Sequence, residues 1–324
     1  MIPTIAVVIA TYRRPHLLRR CLEALLRQSV PASTFEIVIV DDGRSHDTQQ
    51  VVEEFARRTQ GAPAVRYLQP QGTRGPAGAR NRGWRASAAP IIAFTDDDTV
   101  PDGHWLREGY RALSRDVVAV GGRLVVPVNA IPTDHERNTQ GLERAEFATA
   151  NAFVWRTALE LVGGFDERFQ RAWREDSDLH FSLMERAGQV GWAPAAVVVH
   201  PVRAEPWGVS LRQQANVFFD ALLFKKHPKL YRLKVRPAPP WRYYLIVGAF
   251  AVGLLLLVSG QATTGLLAWL VALGGITSLA HQRLRGTLKS PAHVADMVLT
   301  SAAIPFLSVY WRVRGALHFK VFFI

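Results

Sequence analysis

In the stretch PIIAFTDDDTVP, an apolar run from Ile91 to Phe94 leads into three consecutive aspartates, Asp96, Asp97 and Asp98. Carboxylates this close raise one another's pKa unless a cation relieves the repulsion. A hard divalent ion, Mg2+ or Mn2+, would do so, since it binds through one or two carboxylates and leaves positions for substrate phosphates. Bound there, it would screen the charge of a diphosphate leaving group. The same residues also read as an acidic, Pro-punctuated turn in which an aspartate caps a helix. A second acidic pair, Glu175 and Asp176, opens a helical pattern with Leu179 and Leu183 as its apolar stripe and Gly188 as its C-terminal cap. Capping of that helix by Asp176 or Ser177 is the plainer role for these side chains.

Strand and helix patterns alternate upstream of these acids. IAVVIATY reads as a strand, after which Leu17, Leu18, Cys21, Leu22 and Leu25 fall on one helical face. FEIVIV is a second strand, ending at Asp41, Asp42 and Gly43, and a helix follows from about His46 to Arg58. AVRYL, a Gly-rich loop GTRGPAGARNRG that opens another helix, and IIAF complete the series. Continuously apolar strands in such alternation predict a parallel sheet covered on both faces. Open sheets of this kind bind ligands beyond the carboxyl ends of their strands, where Tyr12, Asp42 and the three aspartates fall. The Gly-rich loop lacks both the dinucleotide fingerprint G-x-G-x-x-G after the first strand and the Gly-Lys-Ser/Thr ending of a P-loop. Hydride transfer and P-loop phosphoryl transfer are disfavoured on that ground.

The chain has 324 residues, 48% of them hydrophobic, and one cysteine, Cys21, so no internal disulfide can form. No charged segment precedes an apolar one at the start, so the amino terminus is expected to stay in the cytoplasm. The net charge of +12 lies in the last third. Residues 203–324 carry 15 Lys or Arg against three acids, Glu205, Asp220 and Asp296, while the remaining 24 basic and 24 acidic residues cancel. Such an excess suits nucleic acid or an anionic membrane surface. The neighbourhood favours the membrane and argues against nucleic acid, because no Asp, Glu, Lys or Arg occurs between Tyr243 and Ala280.

That length accommodates two spans of about 20 residues. They are YYLIVGAFAVGLLLLVSG and ATTGLLAWLVALGGITSLA, broken at Gln261, Thr263 and Thr264. Lys225, Lys226, Lys229, Arg232, Lys234, Arg236 and Arg242 precede them, and Arg283, Arg285 and Lys289 follow. The positive-inside rule then puts both flanks in the cytoplasm and the link outside, with Trp241, Tyr243 and Tyr244 at the interface. A third apolar segment, Val294 to Trp311, contains Asp296 and Pro305 and is expected to lie in the cytoplasmic interface or to re-enter it.

Six stretches occur in order: VVIATYRRPHLLRRCLEALLRQ, FEIVIVDDGRSHDT, GPAGARNRGW, IIAFTDDDTVPDGHWL, NAFVWRTALELVGGFDERF and WREDSDLHFSLMERAG. Together, over roughly residues 2–227, they resemble glycosyltransferase family 2, inverting enzymes with the GT-A fold. The resemblance implies an α/β fold with a Rossmann-like, mostly parallel sheet and helices on both faces. To this the apolar segments add a transmembrane helical hairpin and an interfacial helix.

By resemblance, Ala10, Tyr12 and Asp42 match the strand-end contacts to the nucleotide base, and Arg80 and Asn81 the loop contacting base and diphosphate. The family's D-x-D motif matches Asp96 to Asp98, with Asp96 and Asp97 on the donor side, Asp96 nearer the ribose, and Asp98 the ligand of Mg2+ or Mn2+. His200, in AVVVHPVR, matches a histidine that completes the metal site, though a hydrogen-bonded strand-end histidine is the other reading. Glu175-Asp176 matches the acceptor-site motif in which the aspartate is general base. An acceptor hydroxyl must lose its proton as it attacks the anomeric carbon, and a carboxylate about 2.6–3.2 Å away can take it. Gly163, Gly164 and Phe165 match the turn bordering the acceptor and sugar pocket. Phe169, Trp173 and Trp192 either offer flat faces to a sugar or belong to the core.

The expected organisation is a catalytic domain over 1–227, its donor half ending near 100, then a basic linker over 228–242, two spans over 243–281 and a cytoplasmic or interfacial segment over 282–324. Processive polysaccharide synthases carry Gln-x-x-Arg-Trp after the base, whereas this region reads SLRQQANVFFDALLFKKHP. The expectation is a non-processive transferase in cell-envelope polysaccharide or glycolipid biosynthesis. It moves one sugar from a nucleotide-diphosphate sugar, UDP first among them, to a hydroxyl of a lipid-linked or glycolipid acceptor. It works as a multi-pass protein among the lipids of the inner membrane, with its catalytic domain in the cytoplasm. Polyprenyl-phosphate sugar synthases resemble the same domain, but their acceptor is already ionised and needs no base. A catalytically silent nucleotide-sugar-binding membrane protein, or a nucleotidyltransferase, would also use such a sheet with acids at its edge.

Overall fold

The computed structural model describes residues 3–114 and 116–323. The chain divides into two compact units, Met1–Pro127 with Gln140–Val202, and Val128–Thr139 with Arg203–Ile324.

The first unit is built on one sheet. Its strands are β1 (Ile5–Thr11), β2 (Phe35–Asp41), β3 (Ala64–Leu68), β4 (Ile91–Asp96), β5 (Val100–Pro101), β6 (Val117–Val125), β7 (Asn151–Trp155) and β8 (Gln189–Val199). Their order is β3-β2-β1-β4-β7-β6-β8-β5. β1 to β4 are mutually parallel, as the alternation predicts. β7 runs antiparallel to both β4 and β6, β5 runs antiparallel to β8, and β6 and β8 are parallel. The sheet as a whole is therefore mixed, with its parallel character concentrated in the donor half. Because β7 runs backwards, its first residue, Asn151, pairs with Thr95 immediately before the aspartates.

Burial on both faces explains why β1, β2 and β4 are apolar throughout. Ile5, Val7 and Ile9 share one layer with Leu18, Cys21, Leu22 and Leu25 of helix Pro15–Leu25 and Phe55 of helix His46–Thr59. Ala6 and Val8 share the other with Trp84 of helix Pro76–Arg85, Phe94 and Leu179. Each fully buried Leu, Ile or Phe contributes about 1.5–3 kcal/mol, so the strand ends are held on a rigid base. Helix Glu175–Arg186 starts without a side-chain cap: its N-cap is Arg174 at φ 74°, and Glu175, Asp176 and Asp178 occupy the first turn. Those acids suit the positive end of the helix dipole. Neither Asp176 nor Ser177 is the cap.

The second unit contains helix Val217–Lys226 and three helices long and apolar enough to cross a membrane, Trp241–Val258, Ala262–Leu284 and Pro291–His318. The first two of these form the expected hairpin, with Phe250 stacked on Trp269 at 5.7 Å. Small residues let their backbones approach: a Cβ on Gly265 would stand 2.9 Å from the Gly253 carbonyl oxygen. The third, expected as an interfacial or re-entrant piece, is a single helix of 28 residues with Pro305 inside it. Ser290 caps its start and Pro291 follows. Arg283 binds this unit together, donating to Asp134 at 2.9 Å, Thr300 at 2.7 Å and Ser301 at 3.1 Å. Residues 203–227, placed by sequence with the catalytic domain, belong to this second compact unit. The packing is close, since a Cβ on Gly315 would stand 2.5 Å from the Phe218 carbonyl oxygen.

Candidate active site

β4 ends at Asp96 and β8 at Val199, which brings Asp96, Asp98 and His200 together. One ligand atom of each lies within 4.8 Å of the others. Two carboxylates and an imidazole fit Mg2+ or Mn2+ by their chemistry. His200 Nε2 stands 3.6 Å from an Asp98 oxygen, and the buried Nδ1 has no hydrogen-bond partner among the described residues. The satisfied strand-end histidine is therefore not what this geometry gives. Asp97 is engaged by the protein, accepting from the Thr11 hydroxyl at 2.7 Å and from Arg14 Nη1 at 3.2 Å. Burial pushes its carboxyl up to about 6. The acidic turn is also real: the Thr99 hydroxyl closes it by donating to the Asp96 carbonyl at 2.8 Å.

Two arginines that no sequence motif singles out complete this end. Arg14 lies 3.9 Å from Asp98 as well as bonding Asp97, and Arg20 donates to the Asp98 carbonyl at 3.2 Å. The available signal was RRPHLLRR, in which Pro15 starts the helix that carries Arg20 back to the strand end. Opposite charge within about 4–6 Å favours ionised carboxylates, so Arg14 holds part of the site's charge in check.

One side chain links the donor and acceptor acids. Arg80, 4% exposed, donates through Nη2 to Asp96 at 2.8 Å and through Nη1 to Glu175 at 2.9 Å. With both terminal nitrogens engaged on protein carboxylates, Arg80 bridges Asp96 and Glu175. Burial raises Glu175 to about 7 against the pull of Arg80, and its Oε2 is buried without a partner among the described residues. Asp176 is half-buried and also raised by burial. The Ser177 amide and hydroxyl oppose that rise, donating to its Oδ1 at 2.6 and 3.3 Å. Asp176 thus adjoins Glu175, the carboxylate that Arg80 ties to the D-x-D strand.

The remaining expected residues separate into those that face outward and those that build the rim. Tyr12 is 52% exposed and Ala10 half-buried at the end of β1. Asp42 accepts the Gly75 amide at 3.0 Å, where the Gly-rich loop turns at φ 104°, and its Oδ1 has no partner among the described residues. Asp41 shapes the turn before it, accepting from Gly43 N at 2.9 Å and Ser45 N at 2.6 Å.

Asn81 is fully engaged. Its Nδ2 donates to the Phe165 carbonyl at 2.9 Å and to Glu167 at 2.8 Å, and its Oδ1 accepts from Phe165 N at 2.9 Å and Trp84 Nε1 at 3.0 Å. It therefore holds the turn Gly163-Gly164-Phe165. Gly163 and Gly164 sit at φ 87° and 76°, and a Cβ on Gly164 would stand 2.5 Å from Asn81 Oδ1. Phe165 is buried edge-on against Phe94 at 5.2 Å and Phe169 is buried too. Trp173, under the Arg174 guanidinium at 4.6 Å, and Trp192 keep exposed faces.

The chain is similar to known proteins. Residues 6–167 match the description "Glycosyl transferase family 2", and residues 91–281 match "Glycosyl transferase family group 2". Glycosyltransferase AglE of Haloferax volcanii is 29% identical over 230 residues, 67% of this chain and 72% of AglE. Validoxylamine A glucosyltransferase of Streptomyces hygroscopicus is 39% identical over 97 residues, 29% of this chain and 22% of that enzyme. The chain thus spans most of AglE but under a quarter of the latter. Among solved structures, mannosyltransferase PcManGT from Pyrobaculum calidifontis, in complex with GDP-Man and Mn2+, matches at a TM-score of 0.59 and 18% identity, covering 97% of this chain and 88% of that one. At that identity the likeness is one of fold, and it agrees with the GT-A-like sheet. The family match takes in half the chain, including β1, β2 and β4 with the three aspartates, so the protein belongs to glycosyl transferase family 2 and is a nucleotide-sugar-dependent glycosyltransferase.

Proposed function

We propose that the protein is an inverting, non-processive transferase that moves one sugar from a nucleoside-diphosphate sugar to a hydroxyl of a lipid-linked or glycolipid acceptor. The observation that carries this reading is the chain Asp96–Arg80–Glu175, which ties the acid pair of helix Glu175–Arg186 to the strand bearing the D-x-D motif. Asp98, His200 and Asp96 would hold Mg2+ or Mn2+. That ion, when bound, screens the charge that develops on the leaving diphosphate. Asp176 takes the proton of the acceptor hydroxyl as the oxygen attacks the anomeric carbon from the face opposite the leaving group. Tyr12 and Asp42 border the nucleotide, and Trp173 offers its exposed face on the acceptor side. UDP is the expected nucleotide, and the GDP-Man bound by the structural neighbour makes GDP the first alternative.

We place the enzyme in the inner membrane with helices Trp241–Val258 and Ala262–Leu284 crossing and their basic flanks in the cytoplasm. One pair of contacts supports an in-plane or re-entrant course for Pro291–His318: Thr300 and Ser301, a third of the way along it, bond Arg283 near the end of the second helix.

The test is product configuration. Detergent-purified protein is supplied with UDP- and GDP-sugars, Mn2+ and a glycolipid acceptor, and the new linkage is read by NMR. Inversion at the anomeric carbon with release of a nucleoside diphosphate is expected. Retention, or release of pyrophosphate, would overturn the proposal.

A further inference from the structure

Arg13 follows Tyr12 just after β1, with φ at 54°. That is the left-handed region, which few residues other than glycine, asparagine and aspartate enter. Backbone held there against its preference concentrates at binding sites. The Arg13 side chain is exposed, and no hydrogen bond or ion pair among the described residues engages its guanidinium.

The neighbours of Arg13 hold it in place. Its guanidinium lies over the ring of Tyr12, 5.4 Å from the centroid, and Tyr12 is itself exposed. Gly43, in the turn after β2, leaves the space it needs: a Cβ there would stand 2.9 Å from Arg13 Cγ and 3.1 Å from its amide nitrogen. The Asp42 amide donates to the Thr11 carbonyl at 3.0 Å, which joins the two turns into one rim. The flanking residues are committed elsewhere, since the Thr11 hydroxyl and Arg14 both bond Asp97 after β4. Tyr12 and Arg13 are left for the rim shared with β2.

A guanidinium stacked on a ring keeps its N–H edge, which offers donors and no acceptor. Asp42 supplies the opposite character, because its Oδ1 is buried without a partner among the described residues and an ionised carboxylate only accepts. Donor fork and acceptor on one rim complement a base that presents a carbonyl oxygen beside a ring N–H, as uracil, thymine and guanine do. Cytosine and adenine carry an amino group where those bases carry the oxygen, and would set donor against donor.

We propose that Arg13 is a specificity-determining residue of the donor site, its guanidinium donating to the carbonyl oxygen of the base and so selecting keto bases over amino bases. This rests on the reading of the β1 and β2 ends as the nucleotide site, and adds what selects the nucleotide there.

Calorimetric titration of the full-length protein in detergent with UDP, GDP, CDP and ADP, in the presence of Mn2+, tests it on the wild type, Arg13→Gly and Gly43→Ala. The wild type is expected to bind UDP or GDP about tenfold or more tightly than CDP and ADP. Glycine accepts φ 54° without strain, so Arg13→Gly should stay folded. It is expected to narrow the preference to about threefold or less by weakening the keto nucleotide alone. Gly43→Ala removes no donor but crowds Arg13, and should move the preference in the same direction. Thermal unfolding of both variants checks their folding. An unchanged preference in Arg13→Gly would overturn the proposal. So would a loss spread equally over the four nucleotides, which would make Arg13 a diphosphate contact. Asp98→Asn, titrated alongside, keeps the two levels apart. If it abolishes binding while Arg13→Gly keeps the wild-type preference, the donor site stands and Arg13 does not select its base. If folded wild type binds no nucleotide, the donor site itself is wrong and the role of Arg13 falls with it.

Discussion

Asp176→Asn is expected to lower kcat by about a hundredfold to ten-thousandfold, the usual contribution of a positioned general base. Nucleotide binding should survive, because Asp176 is not among the residues grouped around the metal site. The reasoning is specific to a hydroxyl acceptor, which is neutral and has to be deprotonated during attack. A phosphate acceptor is ionised already, so an Asp176→Asn enzyme of nearly unchanged rate would transfer the reading to polyprenyl-phosphate glycosylation. The pH profile carries the same information. Burial raises the Asp176 carboxyl above the ordinary aspartate value, and only the ionised form accepts a proton. Activity should therefore rise with pH along an acid limb displaced upward from that of an exposed aspartate, and the limb should vanish in the variant. Progress curves of nucleoside diphosphate release between acidic and neutral pH would show it.

Arg80→Met is expected to cost about 3–5 kcal/mol of stability, since removing one partner of a buried ion pair strands the other. Two acids lose their counter-ion together, Glu175 with its side chain 5% exposed and Asp96 at 27%. Glu175 would then take up a proton, because burial already lifts it to about 7 with Arg80 in place. Arg80→Lys keeps the charge but not the two-pronged geometry, and should fall between the wild type and Met. A double variant, Arg80→Met with Glu175→Gln, should lose less than the sum of the single changes because the stranded carboxylate is gone. Thermal unfolding of the purified proteins measures all four. An Arg80→Met protein as stable as the wild type would mean that the bridge does not hold the two halves of the site together.

The donor half was largely legible in the sequence, for physical reasons. Strands buried on both faces must be apolar throughout, so IAVVIA, FEIVIV and IIAF announce themselves, and the polar residues that stop them mark the ligand edge. The acids at the end of IIAF drew attention because an apolar strand running into three carboxylates is an unusual pattern.

What escaped the sequence were interactions between distant side chains. Nothing in the local pattern of NAFVW fixes its direction, so β7 running backwards beside β4 depends on the completed sheet. Asn81 and Phe165 hold each other across 84 positions of sequence, a pairing that no local motif reveals. Arg80 is a loop arginine in the sequence and a buried bridge in the fold, because its partners Asp96 and Glu175 lie on different elements. Arg14 and Arg20 were hidden for the same reason. The third apolar helix shows another limit: Asp296 and Pro305 argue against a simple span, but helix formation tolerates both.

Whether the rim of Asp96, Asp98 and His200 is a metal-assisted nucleotide-sugar site is decided most directly by calorimetric binding of UDP, GDP and dTDP to the detergent-purified protein. Each titration is run with and without Mn2+, on the wild type and on Asp98→Asn. The expected result is that one nucleotide binds, that binding requires the ion, and that Asp98→Asn abolishes it while leaving the protein folded. Binding that is indifferent to Mn2+ and to Asp98, or no nucleotide binding by well-folded wild type, would contradict the assignment.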